Sequence, residues 1–513
     1  MLWHDRRKRN FGRRLTTMDL LAHLPALQVV VPMLSAPLIV MLQPRGLAWA
    51  GATAAALLSF AIAIALTFAV LDGQTLQYAM GGWPAPYGIA LSVDAFSAIV
   101  LLVITGASSA ALLAAKPSID QQIESERQPL FYAAWLLVLS GLVGIVVAAD
   151  AFNIFVFMEI SSLASYILIA GGPNRRALPA VFKYLMMGTI GATFYLIGVG
   201  LIYMMTGTLN LADIQVRLSD VTDINPLLVA AGFITIGLAL KAAVFPMHVW
   251  VPNAYTYAPH MVTVFLAACA TKVALYVLIR FDYMIFQTTL ADHQMQFAMF
   301  AMPLAIIGIL VASSVAMFEG NLKRLLASSS IAQIGYILLG ASFISIIGLS
   351  ASAMHMFNHA LAKGGLFLAV ACLAYHYRDL RLSQLGGAGA RMPWTCAAIV
   401  VCGLSLIGVP GTAGFISKWL LINAALQSGP WGWGLVAIIL ISSLMAVFYV
   451  WRIVEAIYFQ APIEEDAPKA EAPIQMLLVT GLVALLNIYF GIFPQVPLEL
   501  ANSAAALLLE GAK

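Results

Sequence analysis

The chain has 513 residues, 62% of them hydrophobic and only 10% charged, with a net charge of +3 and a mean hydropathy of +0.93. Soluble domains carry about 25% charged residues, so this composition excludes a string of soluble domains. The small basic excess is spread over connecting segments and does not point to nucleic-acid binding.

Apolar runs succeed one another along the chain, and about 20 apolar residues suffice to cross a bilayer. In chain order the predicted spans are 20–42, 47–71, 92–115, 130–149, 151–171, 180–206, 226–257, 260–281, 297–318, 325–349, 352–377, 394–427, 431–459 and 474–497. The predicted fold class is an all-α polytopic membrane protein of about fourteen transmembrane helices. Two spans are too long to be plain helices. The seventh contains Pro246 and Pro252, in KAAVFPMHVWVP, and the twelfth contains Pro410, Gly411 and Gly414, in GVPGTAGFISK. Proline lacks a backbone donor and clashes with the preceding turn, so both helices break there. Irregular backbone is tolerated in a membrane where it is buried in protein or lines a wet cavity. Interrupted helices at matching places in two halves indicate an inverted repeat with a transport site between them. Spans four to eight then pair with spans nine to thirteen. The expected division is a basic extension at 1–17, three N-terminal helices in 18–129, a first five-helix repeat in 130–282, a second in 297–460, and a loop with the fourteenth helix in 461–513.

Orientation follows from the basic residues of the loops. Loops after odd-numbered spans hold thirteen Lys and Arg, including Lys323 and Arg324, against three after even-numbered spans and at the C-terminus: Arg217, Arg280 and Lys513. Odd loops are therefore expected in the cytoplasm, with both termini outside. The six basic residues of 1–17 oppose this. Either that extension is not native and Met18 is the true start, or the N-terminus is cytoplasmic and the first helix is placed differently. The clusters EEDAPKAE and Glu319–Lys323 read as solvated loop charges, the latter as an i,i+4 ion pair.

Four lysines fall inside apolar spans, Lys241, Lys272, Lys363 and Lys418, and Glu159 is the one acid well inside a span. Insertion scales place the cost of one charge at the bilayer centre at about 2.5–3.5 kcal/mol. Such groups mark ion pathways, although a lysine near a span end also snorkels to the interface. Desolvation favours a neutral buried lysine and a nearby carboxylate favours a charged one, so a moving carboxylate switches the amine between holding and releasing a proton. Arginine does not release its proton in this way. Glu159 is the plausible in-membrane partner for Lys241.

His355, His359 and Lys363 follow at four-residue steps in HMFNHALAKGG and share one helix face. The stripe reads as a proton relay, as structural histidines, or as a His-x3-His pair for zinc that lacks a third ligand. His248 on the broken helix and His260 at the head of the next span are relay or structural positions. Cys269, Cys372, Cys396 and Cys402 lie in apolar segments without a CxxC pair, so neither a disulfide framework nor a cluster is expected. No G-x4-GK[ST] phosphate loop occurs. Neither a metal nor another cofactor is expected.

These stretches resemble a known family. FNIFVFMEISSLASYILIA, LALKAAVFPMHVWVPNAYTYAP, FEGNLKRLLASSSIAQIGYI, HMFNHALAKGGLF and GVPGTAGFISKW are similar to the antiporter-like subunits shared by Mrp-type multisubunit Na+/H+ antiporters and respiratory complex I. The resemblance covers nearly the whole chain after residue 18. It implies two inverted five-helix bundles with discontinuous seventh and twelfth helices. It also implies that Glu159 is the fifth-helix glutamate, Lys241 the seventh-helix lysine, Lys272 the eighth-helix base and Lys418 the twelfth-helix terminal site. His359 lies in the eleventh-helix histidine motif.

GGWPAPYGIALSVDAFSAI and GLIYMMTGTLNLADI lean to the D branch of the Mrp antiporters, and Lys418 counts against the complex I subunit with glutamate at that place. YLMMGTIGATFYLIGVG is also similar to subunits of membrane-bound hydrogenases. The implied function is proton movement coupled to a monovalent cation in partner subunits, or proton pumping in the membrane arm of a redox-driven complex. The implied location is the bacterial inner membrane. No redox site is expected in this chain.

Overall fold

The computed structural model describes residues 17–41, 45–286, 294–462 and 470–510. The basic residues of the 1–17 extension and most of the EEDAPKAE loop lie outside the described residues.

In an apolar medium every backbone polar group must be bonded internally, and the helix does this within one segment. Among the described residues, thirteen helices are long and apolar enough to cross a membrane, and Pro393–Ile407 is a shorter apolar helix. The first helices are α1 (Thr17–Met41) and α2 (Arg45–Val70). An antiparallel hairpin of β1 (Leu76–Ala79) and β2 (Ala90–Val93) follows, with Leu76 opposite Val93. Next come α3 (Ala95–Gln122), α4 (Gln128–Val147), α5 (Ala151–Ala170), α6 (Ala177–Thr206) and the short α7 (Leu211–Leu218). The chain continues through α8 (Asn225–Ala242), α9 (Val251–Tyr257) and α10 (His260–Phe281).

The second half begins with α11 (Gln294–Phe318), α12 (Leu322–Ala341) and α13 (Ile346–His376). A one-turn helix α14 (Ala388–Arg391) leads to α15 (Pro393–Ile407) and α16 (Ala413–Gln427). The last three are α17 (Gly432–Tyr458), α18 (Ile474–Ile492) and α19 (Gln495–Glu510). Asp94, Asp150, Asn321 and Ser345 cap α3, α5, α12 and α13 by accepting from the third backbone N–H, which satisfies a donor the helix leaves free.

Three elements escape the span pattern. The hairpin is too short to register as an apolar run. Helix α7 is amphipathic, burying Leu211, Ile214 and Leu218 on one face. The last predicted span, 474–497, is two helices, because Pro494 cannot continue α18 and instead precedes α19.

Helices α4, α10, α12 and α13 are buried on nearly all sides. The outer helices α5, α6, α17 and α18 expose large apolar side chains such as Ile167, Phe182, Leu444 and Leu478. Helices α6 and α8 cross at glycine: a Cβ on Gly237 would stand 2.5 Å from the Gly191 carbonyl oxygen. Small residues let membrane helices approach this closely.

Arg280 is not the loop charge that the sequence count took it for. Its guanidinium donates to both carboxylate oxygens of Asp94, at 2.9 and 2.8 Å, and covers the Tyr276 ring at 4.8 Å. This buried ion pair clamps α10 to the head of α3. Removing one member of a buried pair costs about 3–5 kcal/mol. Asp94→Ala is therefore expected to lower the thermal unfolding midpoint of the detergent-solubilised protein clearly, checked by thermal-shift fluorescence.

A buried line of ionisable side chains

The two breaks end their helices in the same way. Ala243 follows α8 with φ +58°, and Gly408 follows α15 with φ +89°. Val244 N–H donates to the Ala239 carbonyl at 3.0 Å, and Val409 N–H donates to the Leu404 carbonyl at 3.1 Å. Both are left-handed caps in which the chain turns back on the last helical turn. The predicted break residues Pro246, Pro410 and Gly411 all fall in these non-helical segments.

Each cap leaves carbonyls without a helical partner at the negative end of a helix dipole, and each has a lysine beside it. Lys241 lies in the last turn of α8, 8% exposed. Its Nζ donates to Ser162 Oγ at 2.8 Å and to Glu159 Oε1 at 3.4 Å, both on α5. Lys418, on α16, reaches back to the end of α15. It donates to the carbonyls of Ile407 at 2.7 Å and Leu406 at 3.3 Å, and to Ser443 Oγ at 3.0 Å. Its amine stands 5.1 Å from the centre of the Tyr336 ring. The fixed dipoles of a helix end thus do for Lys418 what a carboxylate does for Lys241.

Between these two, α10 and α13 carry the rest. Lys272 is buried on α10 and donates to the Ala267 carbonyl at 2.5 Å. On α13, Lys363 donates to the Leu326 carbonyl at 2.7 Å and Ser329 Oγ at 2.5 Å. His355 Nδ1 is 2.9 Å from Ser417 Oγ and its Nε2 is 3.0 Å from Gln333 Oε1. The His359 ring lies parallel to that of His355 at 6.1 Å, and neither of its nitrogens has a hydrogen-bond partner.

His359 is within electrostatic reach of Lys272, Lys363 and His355, and His355 within reach of Lys418. On the other side, Tyr184 packs edge-on against Tyr166 at 4.8 Å and stacks on Trp250 at 4.1 Å. The histidine stripe, Lys363 and Lys418 thus gather where α12, α13 and α16 meet, and Lys241 pairs with Glu159 of α5 at the other break.

The remaining predicted positions differ. His248 stands in the first break, stacked on Phe245 at 5.3 Å, and no hydrogen bond joins it to the line. His260 opens α10 at the edge of the bundle. Lys323, expected to pair with Glu319 on the surface, is 3% exposed and donates to the Ala258 carbonyl at 2.8 Å. The reason is that Glu319 and Lys323 do not share a helix. Glu319 follows α11 and instead pairs with Arg324 at 3.0 Å, while α12 starts at Leu322 and turns Lys323 inward. Removing Lys323 and Arg280 from the loop count leaves the odd-loop excess intact.

Ser162, Ser329, Gln333, Ser417 and Ser443 were missed as partners, although the polar run SSSIAQ inside an apolar span signalled some of them. All four cysteines are buried and free. Among the described residues no three His, Cys, Asp or Glu side chains stand close enough to hold a metal.

Residues 148–446 match the family described as NADH:quinone oxidoreductase/Mrp antiporter, TM, a stretch that spans both breaks and every lysine of the line. The chain belongs to this family. Within it, the chain is 40% identical to the N-type subunit of the NADH-quinone oxidoreductase of Desulforudis audaxviator, over 88% of this chain and 90% of that one. It is 28% identical to the D-type subunit of the Na(+)/H(+) antiporter of Bacillus subtilis, over 95% and 97%. A chain of the membrane-bound sulfane sulfur reductase, an archaeal respiratory membrane complex, superposes with a TM-score of 0.86 at 31% identity, covering 95% of this chain and 98% of that one. Membership makes this a multi-pass membrane subunit of the proton-translocating, antiporter-like type. The lean of the sequence to the Mrp D branch is not favoured over the complex I N branch.

Proposed function

We propose that the chain is a proton-translocating subunit in the membrane arm of a redox-driven, complex I-like assembly. Fourteen spans form it, with two inverted five-helix repeats whose seventh helix is α8 with α9 and whose twelfth is α15 with α16. The matched left-handed caps beside Lys241 and Lys418 support that symmetry. A proton held by Lys241 against Glu159 passes by way of Lys272 and the His359, His355 and Lys363 cluster to Lys418, with water bridging the gaps. Changing the charge or distance of Glu159 sets when Lys241 lets go. The observation that carries this reading is a set of four buried amines, each hydrogen-bonded to hydroxyls, carbonyls or a carboxylate.

The higher identity to an N-type subunit of NADH-quinone oxidoreductase than to a D-type antiporter subunit favours redox drive over cation exchange. The second reading is a role like that of the Mrp D branch, with a monovalent cation moving in partner subunits. In either case the chain sits with other subunits in the lipid bilayer of the cell membrane, the inner membrane if the host is a bacterium.

Purifying the tagged chain from its native membranes and identifying its companions by mass spectrometry separates the readings. Flavin and iron–sulfur subunits support the first. Small antiporter subunits without redox proteins overturn it in favour of the second.

Two substitutions test the path. Glu159→Gln keeps the shape and removes the charge partner of Lys241. Proton translocation in inverted vesicles, followed by a pH-sensitive dye, is expected to fall at least tenfold. Gly408→Ala places a Cβ 2.7 Å from Lys418 Cδ and meets a φ that L residues avoid. Displacing the amine by about 1 Å is expected to slow translocation by roughly 10- to 100-fold, in the same assay.

A further inference from the structure

The relay of the second half needs contact with water, and α12 leads from its middle to an edge of the bundle. Lys323, Leu326, Ser330 and Gln333 recur at helical spacing and share one face of α12. Gln333 holds His355. The Leu326 carbonyl holds Lys363 and also accepts from Ser330 Oγ at 2.9 Å. Lys323 stands three residues, ~4.5 Å of helix rise, further out than Leu326.

The Lys323 amine bonds the Ala258 carbonyl, two residues before His260. His260 and Lys323 are within electrostatic reach of each other. The His260 backbone N–H donates to Gln122 Oε1 at 3.2 Å, which pins the residue, while its ring Nδ1 is buried and has no hydrogen-bond partner. His260 as a whole is partly exposed. The half-exposed pair Arg324–Glu319 and Asn253 lie nearby at the edge, Arg324 donating to Asn253 Oδ1 at 3.2 Å. A partly exposed residue at the head of α10, a buried amine and a second buried amine thus succeed one another inward.

We propose that His260 and Lys323 form the port through which the second-half relay exchanges protons with the side carrying the odd-numbered loops. The proton moves between water and the His260 ring, between that ring and the Lys323 amine, and between Lys323 and Lys363 by way of the Ser329 and Ser330 hydroxyls and water. No bond other than those to the moving proton changes. This rests on the proton-path reading above and adds its entrance.

The plain alternative is that Lys323 only satisfies the last carbonyls of α9. Arginine would then serve as well, since it keeps charge and donors, but it does not release its proton at working pH. The test measures proton translocation by the assembled complex in inverted vesicles for Lys323→Arg, His260→Ala, His260→Gln and Lys241→Ala. With the port, Lys323→Arg and both His260 variants slow about tenfold, and millimolar imidazole added outside restores His260→Ala but not Lys241→Ala. His260→Gln decides the point should the alanine variant fail to assemble. Wild-type rates in Lys323→Arg, or a slow His260→Ala that imidazole leaves unchanged, overturn the port. A fully active Lys241→Ala instead overturns the proton-path reading, so the two failures are distinguishable.

Discussion

Lys241→Ala is expected to cut proton translocation roughly 100-fold while the complex still assembles. The Lys241 amine lies where the break after α8 meets α5, bonded to Ser162 and facing Glu159. No other ionisable side chain among the described residues is ion-paired with that carboxylate. Alanine removes the proton site and keeps the helix, since the Val244–Ala239 bond that shapes the cap is entirely backbone. Native gel electrophoresis checks assembly, and dye quenching in inverted vesicles checks translocation. A variant that assembles and builds a normal pH gradient removes Lys241 from the path.

Lys418→Ala is expected to have a comparable effect on translocation, with a larger cost in stability. Its amine bonds two terminal carbonyls of α15 as well as Ser443. Those carbonyls sit at the break, and a buried acceptor left unpaired costs about 1–3 kcal/mol. The expected result is loss of the pH gradient together with a lower thermal midpoint of the solubilised complex. A lower midpoint with full translocation would assign Lys418 a structural role alone.

The sequence made the lysines legible and their partners much less so. Lys241, Lys272, Lys363 and Lys418 stood out because a charge within an apolar span has no cheap location in a bilayer, and all four are buried. Pro246, Pro410 and Gly411 marked the breaks because proline and glycine disrupt helices by known steric means. Arg280 and Lys323 were misread because they stand at span ends, where a count along the chain does not tell an inward side chain from an outward one. Arg280 finds Asp94 186 positions away, and no local pattern encodes that pairing. Lys323 turns on whether one helix or two joins it to Glu319, which depends on the Asn321 cap. The hydroxyl seats of the lysines were equally hidden, since serine in a membrane helix often bonds its own backbone, as Ser165 and Ser314 do here.

The most direct test of the account separates charge from proton release at a single site. Lys241→Arg keeps a permanent positive charge and hydrogen-bond donors beside Glu159, yet holds its proton at any working pH. In proteoliposomes containing the purified, assembled complex, this variant is predicted to build no pH gradient when the driving reaction runs. A gradient equal to that of the wild type would show that Lys241 serves only as a fixed charge, and would contradict proton passage through it.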